Sequence, residues 1–136
     1  MRLRDYRDKI LEVLRVAPYS AADVFDAMPT GDYHSRPRRY MVLLMGREAV
    51  PSDRLTGPQS DHDVQFRVRA VGRTPNEAMA VADTAYERLT NAPLTLEGRN
   101  SRPVRHVDSD GILFDPDVGD GLYFFDDVYS WFTTKG

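Results

Sequence analysis

The sequence predicts a single small α+β domain. A mixed or antiparallel β-sheet would be covered by an N-terminal helix and by a second helix over about residues 75–90. Apolar residues recur every three or four positions in the first sixteen residues, as in an amphipathic helix. Residues 63–71 alternate between apolar and polar, as in a half-solvated strand. The chain has 136 residues. Because this length suits one core, residues 1–136 are assigned to one domain.

The first elements follow from local patterns. The helix is expected from Arg2 to Val16, since Pro18 cannot continue it. Residues 24–28 could form a short strand or a last helical turn ahead of the turn at residues 29–32, and the strand is favoured. Residues 40–45 are apolar at every position, which at this length favours an interior strand buried on both faces.

A polar stretch from Gly46 to Asp61 is expected to form a long loop, with Arg54–Thr56 adding a short edge strand. The alternating strand that follows should bury Val64, Phe66, Val68 and Ala70. This strand is the best defined of the predicted strands.

The second helix has a clear start signal. Thr74 is placed as the N-cap, Pro75 occupies the first helical position, and Glu77 completes a capping box. The inward stripe is then Ala78, Val81, Ala82, Ala85 and Leu89. Three alanines in that stripe allow the helix to lie close to a sheet.

Beyond this helix, residues 94–96 and 103–107 are expected to pair as a hairpin around a turn at 98–102. Residues 108–121 are interpreted as an acidic loop. The closing strand, residues 122–133, is apolar on both sides, which predicts that one side contacts a neighbouring subunit. One face carries Tyr123, Phe125, Tyr129 and Trp131, and the other carries Leu122, Phe124, Val128 and Phe132.

Composition narrows the class of protein. Hydrophobic residues make up 41% and charged residues 29%, as in folded globular domains. There is no cysteine, which excludes disulfides and thiolate chemistry, and the longest apolar run is too short to cross a bilayer. The net charge of -3 is unevenly distributed, because residues 106–136 contain seven aspartates and a single lysine. That region would repel a phosphate backbone.

No catalytic or metal-binding motif is present. His34, His62 and His106 lie far apart in the sequence, without metal-ligand spacing, and the sequence contains no phosphate-binding glycine loop. The aspartates after residue 107 lack the glycine and glutamate positions of an EF-hand, which favours a solvated loop over a calcium site. The basic cluster Arg36, Arg38 and Arg39 could contact nucleic acid, but a solvated loop is favoured because the C-terminal region is acidic. The sequence therefore predicts no enzyme, no cofactor and no metal.

The order of these signals resembles a known family. Residues 62–78 are similar to the strand, glycine and capped-helix core of tail terminator (tail completion) proteins of actinobacterial siphophages. Residues 24–29 and 39–44 resemble the first two strands of that family, and residues 54–57 resemble the next. The run Leu94–Arg99 and the closing aromatic strand also match, so the resemblance covers most of the chain.

The resemblance implies a non-enzymatic virion protein, made in the host bacterial cytoplasm and located at the head–tail interface. It implies a homohexameric ring that caps the head-proximal end of the tail tube. One side of the ring would contact the major tail tube protein, and the other a head-completion (stopper) protein. Genomic DNA would pass through the lumen without specific binding, and no membrane is involved.

Three groups of residues are the candidates for these contacts. The subunit interface is assigned to Tyr123, Phe125, Tyr129 and Trp131. The loop facing the tail tube is assigned to Asp53, Arg54 and Leu55. An acidic lumen surface is assigned to Asp115, Asp117 and Asp120, because negative charge there would keep the duplex from binding.

Three other functions stay open from the sequence. The chain could be another head–tail connector or minor tail component with a related fold. A small enzyme would use His62 or His106 with nearby aspartates. An RNA-binding sheet would need exposed aromatic residues with basic partners, whereas the aromatic residues of the closing strand lie among aspartates.

Overall fold

The computed structural model describes residues 3–16, 19, 23–27, 36–49, 62–91, 94–116 and 121–135. These residues form two helices and a mixed sheet, which confirms the predicted α+β class. The elements in chain order are α1 (Leu3–Leu14), β1 (Val24–Asp26), β2 (Tyr40–Ala49), β3 (His62–Gly72), α2 (Pro75–Asn91), β4 (Arg99–Ser101), β5 (Arg105–Asp115) and β6 (Leu122–Lys135).

The sheet is built around its longest strand, β6. The order along the sheet is β1-β2-β3-β6-β4, and β5 also pairs with β6. The pairing of β1 with β2 is parallel, and all other pairings are antiparallel. The strand β2, which begins with the apolar run of residues 40–45, lies between β1 and β3, and its residues Tyr40–Leu43 are buried, as the sequence predicts.

The main core lies between the two helices and one face of the sheet. The alternation in β3 is confirmed, because Val64, Phe66, Val68 and Ala70 are at most 2% exposed. The inward stripe of α2 is buried at every predicted position. Burial of each large apolar side chain contributes about 1.5 to 3 kcal/mol, so this layer is the main source of stability.

The start of α2 is held by side chains on two sides. The backbone N–H of Glu77 donates to Thr74 Oγ1 over 3.2 Å, which confirms Thr74 as the N-cap. The Glu77 carboxylate, in turn, accepts hydrogen bonds from Arg38 Nε and Nη2, the shortest of them 2.7 Å long. The Glu77 carboxylate therefore ties the segment before β2 to the start of α2.

Substitution of Glu77 by glutamine tests this contact through pH. Hydrogen bonding by Arg38 lowers the pKa of the Glu77 carboxyl group. A lowered folded-state pKa stabilises the fold above the unfolded pKa of about 4.3, and that stabilisation is lost as pH falls through the folded pKa. Because Arg38 is largely solvated, Glu77→Gln should cost only about 1 kcal/mol at neutral pH.

The measurement is urea unfolding of both proteins at pH 7 and near pH 3. The difference between Glu77→Gln and wild type should shrink at the lower pH. Glu87→Gln, an exposed position on the same helix, is the control and should unfold like wild type at both pH values. A difference for Glu77→Gln that does not change with pH would show that the carboxylate charge is unimportant.

Gly72 ends β3, and the first turn of α2 lies directly against it. A Cβ atom added there would lie 2.6 Å from the backbone nitrogen of Ala78 and 2.7 Å from Glu77 Cβ. Because the first of these atoms is backbone, Gly72→Ala should force the helix outward and cost about 1 to 3 kcal/mol of unfolding free energy. If Gly72→Ala unfolded thermally at the same midpoint as wild type, the contact between Gly72 and the start of α2 would have to be looser than these distances indicate.

The C-terminal third differs from the prediction in its pairing. The expected hairpin of residues 94–96 and 103–107 is wrong. The short strand is instead β4, at Arg99–Ser101, and both β4 and β5 pair with β6 and not with each other. The physical reason is the length of β6. Its fourteen residues accept β5 along the first part and β4 at the end.

The predicted acidic loop is also wrong over residues 108–115, which belong to β5. The strand is irregular, with register shifts between His106 and Asp108 and between Ser109 and Ile112, and with Gly111 at φ 73°. Such bulges break the alternation by which strands are recognised in a sequence. The predicted loop at residue 46 likewise begins later, because β2 continues to Ala49, and Arg54–Thr56 lie outside the described residues.

Candidate interaction surfaces

Two of the four residues predicted to join subunits lie in the core of the chain itself. Tyr129 and Trp131 are 0% exposed. Trp131 packs edge-on against Tyr6 at a centroid distance of 5.2 Å, and its Nε1 donates to Ser101 Oγ over 3.0 Å. The assignment of these two rings to a subunit contact is therefore corrected, since neither has surface left to offer.

The other two residues lie at the beginning of the same strand and keep part of their surface. Tyr123 and Phe125 are half-buried. Tyr123 contacts Phe114 of β5 at a centroid distance of 4.9 Å, and Phe114 itself is 51% exposed. The accessible aromatic surface is thus at the β5 side of the sheet, away from Trp131.

A groove of about 380 Å³ runs between α2 and β5. The strand β6 contributes Phe125 and Asp127 to its lining. Met79 and Tyr86, on the α2 side, are 39% and 47% exposed. The complete lining is Met79, Ala82, Asp83, Tyr86, His106, Ser109, Phe125 and Asp127.

The sequence reasoning missed the α2 side of this groove. Met79, Asp83 and Tyr86 follow each other at spacings of four and three residues, so they share one flank of the helix. The available signal was that Met79 and Tyr86 are large apolar residues outside the predicted inward stripe. On a solvated flank, such side chains indicate a contact surface.

Within the groove, His106 Nε2 lies 2.8 Å from Asp127 Oδ1. The imidazole also contacts the rings of Tyr86 and Tyr129 edge-on, at 5.7 and 5.5 Å. Burial raises the pKa of the Tyr129 hydroxyl group, which keeps it neutral. Ser109 also lines the groove, but in the described part of the chain its hydroxyl makes no hydrogen bond to His106. The contact with Asp127 therefore fixes the orientation of the imidazole in the groove.

The opposite face of the sheet carries a charge cluster around Asp126, which is 1% exposed. Arg69 donates to both of its oxygens, over 2.9 and 3.0 Å, and Arg67 Nη1 donates over 3.1 Å. Arg67 also reaches Asp110, and the Arg69 guanidinium lies 4.6 Å from the centroid of the Phe124 ring. Hydrogen bonding to Asp126 raises the pKa of Arg69. The negative charge of the buried Asp126 is thus balanced by the two arginine side chains, Arg67 and Arg69.

The remaining predicted positions are distributed as follows. Asp115 lies in β5, opposite Leu122 of β6. Asp53, Arg54 and Leu55 of the predicted tube-facing loop, and Asp117 and Asp120 of the predicted acidic lumen, lie outside the described residues.

In the basic cluster, Arg38 and Arg39 both reach the Glu77 carboxylate, and Arg36 Nη1 donates to the Tyr40 hydroxyl over 3.4 Å. These contacts are made within the chain, while the Arg38 and Arg39 side chains stay 63% and 52% exposed, as the prediction of a solvated cluster requires. Among the described residues, no three acidic or histidine side chains are grouped so that they could hold a metal ion. Neither described helix has the length and apolarity needed to cross a membrane.

The structure defines a small α+β fold in which two helices cover one face of a mixed sheet. No protein-family model and no curated protein matches the sequence. Among solved structures, the fold is similar to that of a chain in the virion of a native gene transfer agent (GTA) particle, with a TM-score of 0.63 and 19% sequence identity. The similarity covers 93% of this chain and 92% of that chain. The two proteins therefore share a fold along nearly their whole length.

Proposed function

We propose that the chain is a structural protein of a phage-like virion and that it is a tail terminator. The observation that carries the proposal is the fold shared, end to end, with a chain of a gene transfer agent virion. The resemblance of residues 62–78 to the terminator core supports the narrower assignment. In this function a ring of six copies caps the tail tube, contacts the tube protein on one side and joins a head-completion protein on the other.

The described surface supports a role in assembly. Large apolar side chains are exposed at the β5 side of the sheet and at the start of α1, as expected for a protein that contacts other copies or partners. Asp115, Asp117 and Asp120 remain the proposed acidic surface facing the DNA, and Asp53, Arg54 and Leu55 the proposed contact with the tail tube. Asp126 and Asp127 contribute little to such a surface because both are buried and paired.

Disruption of the gene, followed by electron microscopy of the lysate, tests the proposal. We expect DNA-filled heads separated from tails, and tails of irregular length without a cap. Complete, joined particles after disruption would contradict any virion role. If the tails had normal length and carried a cap, but the heads were not joined to them, the protein would instead be a neighbouring head–tail connector. Native mass spectrometry of the purified protein should show a hexamer, alone or with tube protein.

A further inference from the structure

We propose that the groove between α2 and β5 receives the first turn of α1 from a second copy of this chain, so that copies join head to tail. The inference rests on the proposed ring function and names the surfaces that would form the ring. It follows from three observations: an uncovered strip of the sheet, the chemistry of the groove, and the position of α1 at the opposite edge.

The helical layer covers the sheet only in part. The helix α1 lies over the β1 edge, where Arg7 Nη1 is 3.2 Å from Asp26 Oδ2 and Arg15 Nη2 donates to the Val24 carbonyl over 3.0 Å. The helix α2 lies over β3 and β6, and its outer flank also contacts β5 through Tyr86 and His106. No described helix lies beyond α2, and residues 105–110 of β5 are all exposed. The strip of sheet beside α2 is therefore a surface on which a further helix could pack in the same layer.

The groove in that strip combines apolar side chains with negative charge. Met79, Tyr86 and Phe125 provide the apolar surface, and aromatic residues and methionine are enriched at protein interfaces. The Asp83 carboxylate lines the same groove and makes no ion pair with any described residue. Such a site fits an apolar side chain that is followed by a cation.

The first turn of α1 offers this combination. Leu3 is 42% exposed, and Arg4 beside it is exposed and makes no ion pair within the described part of the chain. Both residues border a depression with Leu44 and Met45 of β2, near the β1 edge of the sheet. The groove lies at the β5 side, the opposite edge. A contact between two different surfaces on opposite edges is heterologous, and a heterologous contact builds a ring when the rotation between copies closes.

Pairing through the β5 backbone is the less favourable way to join copies. The two register shifts, Gly111 and the exposed Asp108 and Asp110 interrupt the ladder that an added strand would need. Bulges and charges on an edge strand are known means of preventing strand addition. The side-chain groove is thus the better candidate for the contact.

Disulfide trapping tests the contact directly, because the chain contains no cysteine. Arg4→Cys and Tyr86→Cys chains, each shown to be folded by circular dichroism, are mixed and mildly oxidised. We expect a mixed dimer, and from the double variant Arg4→Cys/Tyr86→Cys a ladder of covalent oligomers that ends at the ring. Leu113→Cys, 43% exposed on the other face of the sheet, replaces Tyr86→Cys in the control and should not form the mixed dimer.

Three results would overturn the proposed docking. The first is exclusive formation of dimers between two Tyr86→Cys chains, which indicates a two-fold contact. The second is a mixed dimer no more abundant than in the Leu113→Cys control. The third is wild-type protein that sediments only as a monomer at the highest attainable concentration.

Charge exchange provides a second readout that separates the docking site from the ring function. Asp83→Arg should weaken self-association by about tenfold or more in sedimentation velocity, and adding Arg4→Asp in the same chain should restore it. If Asp83→Arg still formed intact rings, the proposed docking site would be wrong, and the proposed terminator function would be unaffected. If the docked contact formed as proposed but gene disruption still gave joined particles, the docking site would be supported and the terminator function would be wrong.

Discussion

Replacement of Trp131 by alanine is expected to lower the free energy of unfolding by about 3 to 5 kcal/mol. Trp131 is fully buried, packs edge-on against Tyr6 of α1 and donates from its indole nitrogen to Ser101 of β4. Alanine would leave a large cavity between α1 and β6 and would leave the Ser101 hydroxyl without this donor. Since most single domains are stable by only about 5 to 15 kcal/mol, the variant should be close to unfolding at 37 °C.

The measurement is urea unfolding followed by far-ultraviolet circular dichroism, because Trp131 is the chain's single tryptophan and its fluorescence is lost in the variant. Protein concentration must be equal in all samples, since self-association adds to apparent stability. Phe132→Ala is the control. Its ring is half-buried on the other face, beside the Arg102 guanidinium, and its loss should cost about 1 kcal/mol. Equal costs for the two variants would contradict the described core.

Substitution of Asp126 by asparagine is expected to cost about 2 to 3 kcal/mol. Removing one partner of a buried ion pair typically costs about 3 to 5 kcal/mol, because the other charge is left buried. Here the cost should be lower, since the side chains of Arg67 and Arg69 are 40% and 26% exposed and can regain water. Asparagine preserves the size of the side chain, so the loss would report on charge and hydrogen bonding.

The matched control is Asp110→Asn. Asp110 also lies 3.1 Å from Arg67 Nη1, but it is 41% exposed. Exposed ion pairs contribute about 0 to 1 kcal/mol, so this variant should unfold nearly like wild type. Thermal unfolding of both variants at one salt concentration gives the comparison. If Asp126→Asn were as stable as Asp110→Asn, the cluster on this face would have no structural importance.

Much of the secondary structure could be predicted because its signals are local. The N-cap at Thr74 and Pro75 at the first helical position specify the start of α2 without any contact to the rest of the chain. The alternation of residues 63–71 similarly specifies both the strand β3 and its buried face. The strand β5 could not be found in this way. Its bulges and aspartates remove the alternation, and only pairing with β6 makes it a strand.

The candidate sites were less predictable than the elements. The sequence placed Tyr123, Phe125, Tyr129 and Trp131 on one face of the closing strand, and the register with β3 confirms that they share it. It could not show which end of that face α1 and α2 cover. The helices bury Trp131 and leave the beginning of the strand accessible. A subunit contact based on the whole face therefore had to be corrected.

The sequence by itself determined the fold class, both helices and the absence of cysteine chemistry, because periodicity, caps and composition are properties of neighbouring residues. Only the tertiary structure decided that β4 and β5 share β6, that Asp126 is enclosed by two arginines, and that a groove remains beside α2. The physical reason is that burial and pairing depend on residues distant in the chain. Asp126 and Arg69 are 57 positions apart, yet their side chains meet at 2.9 Å.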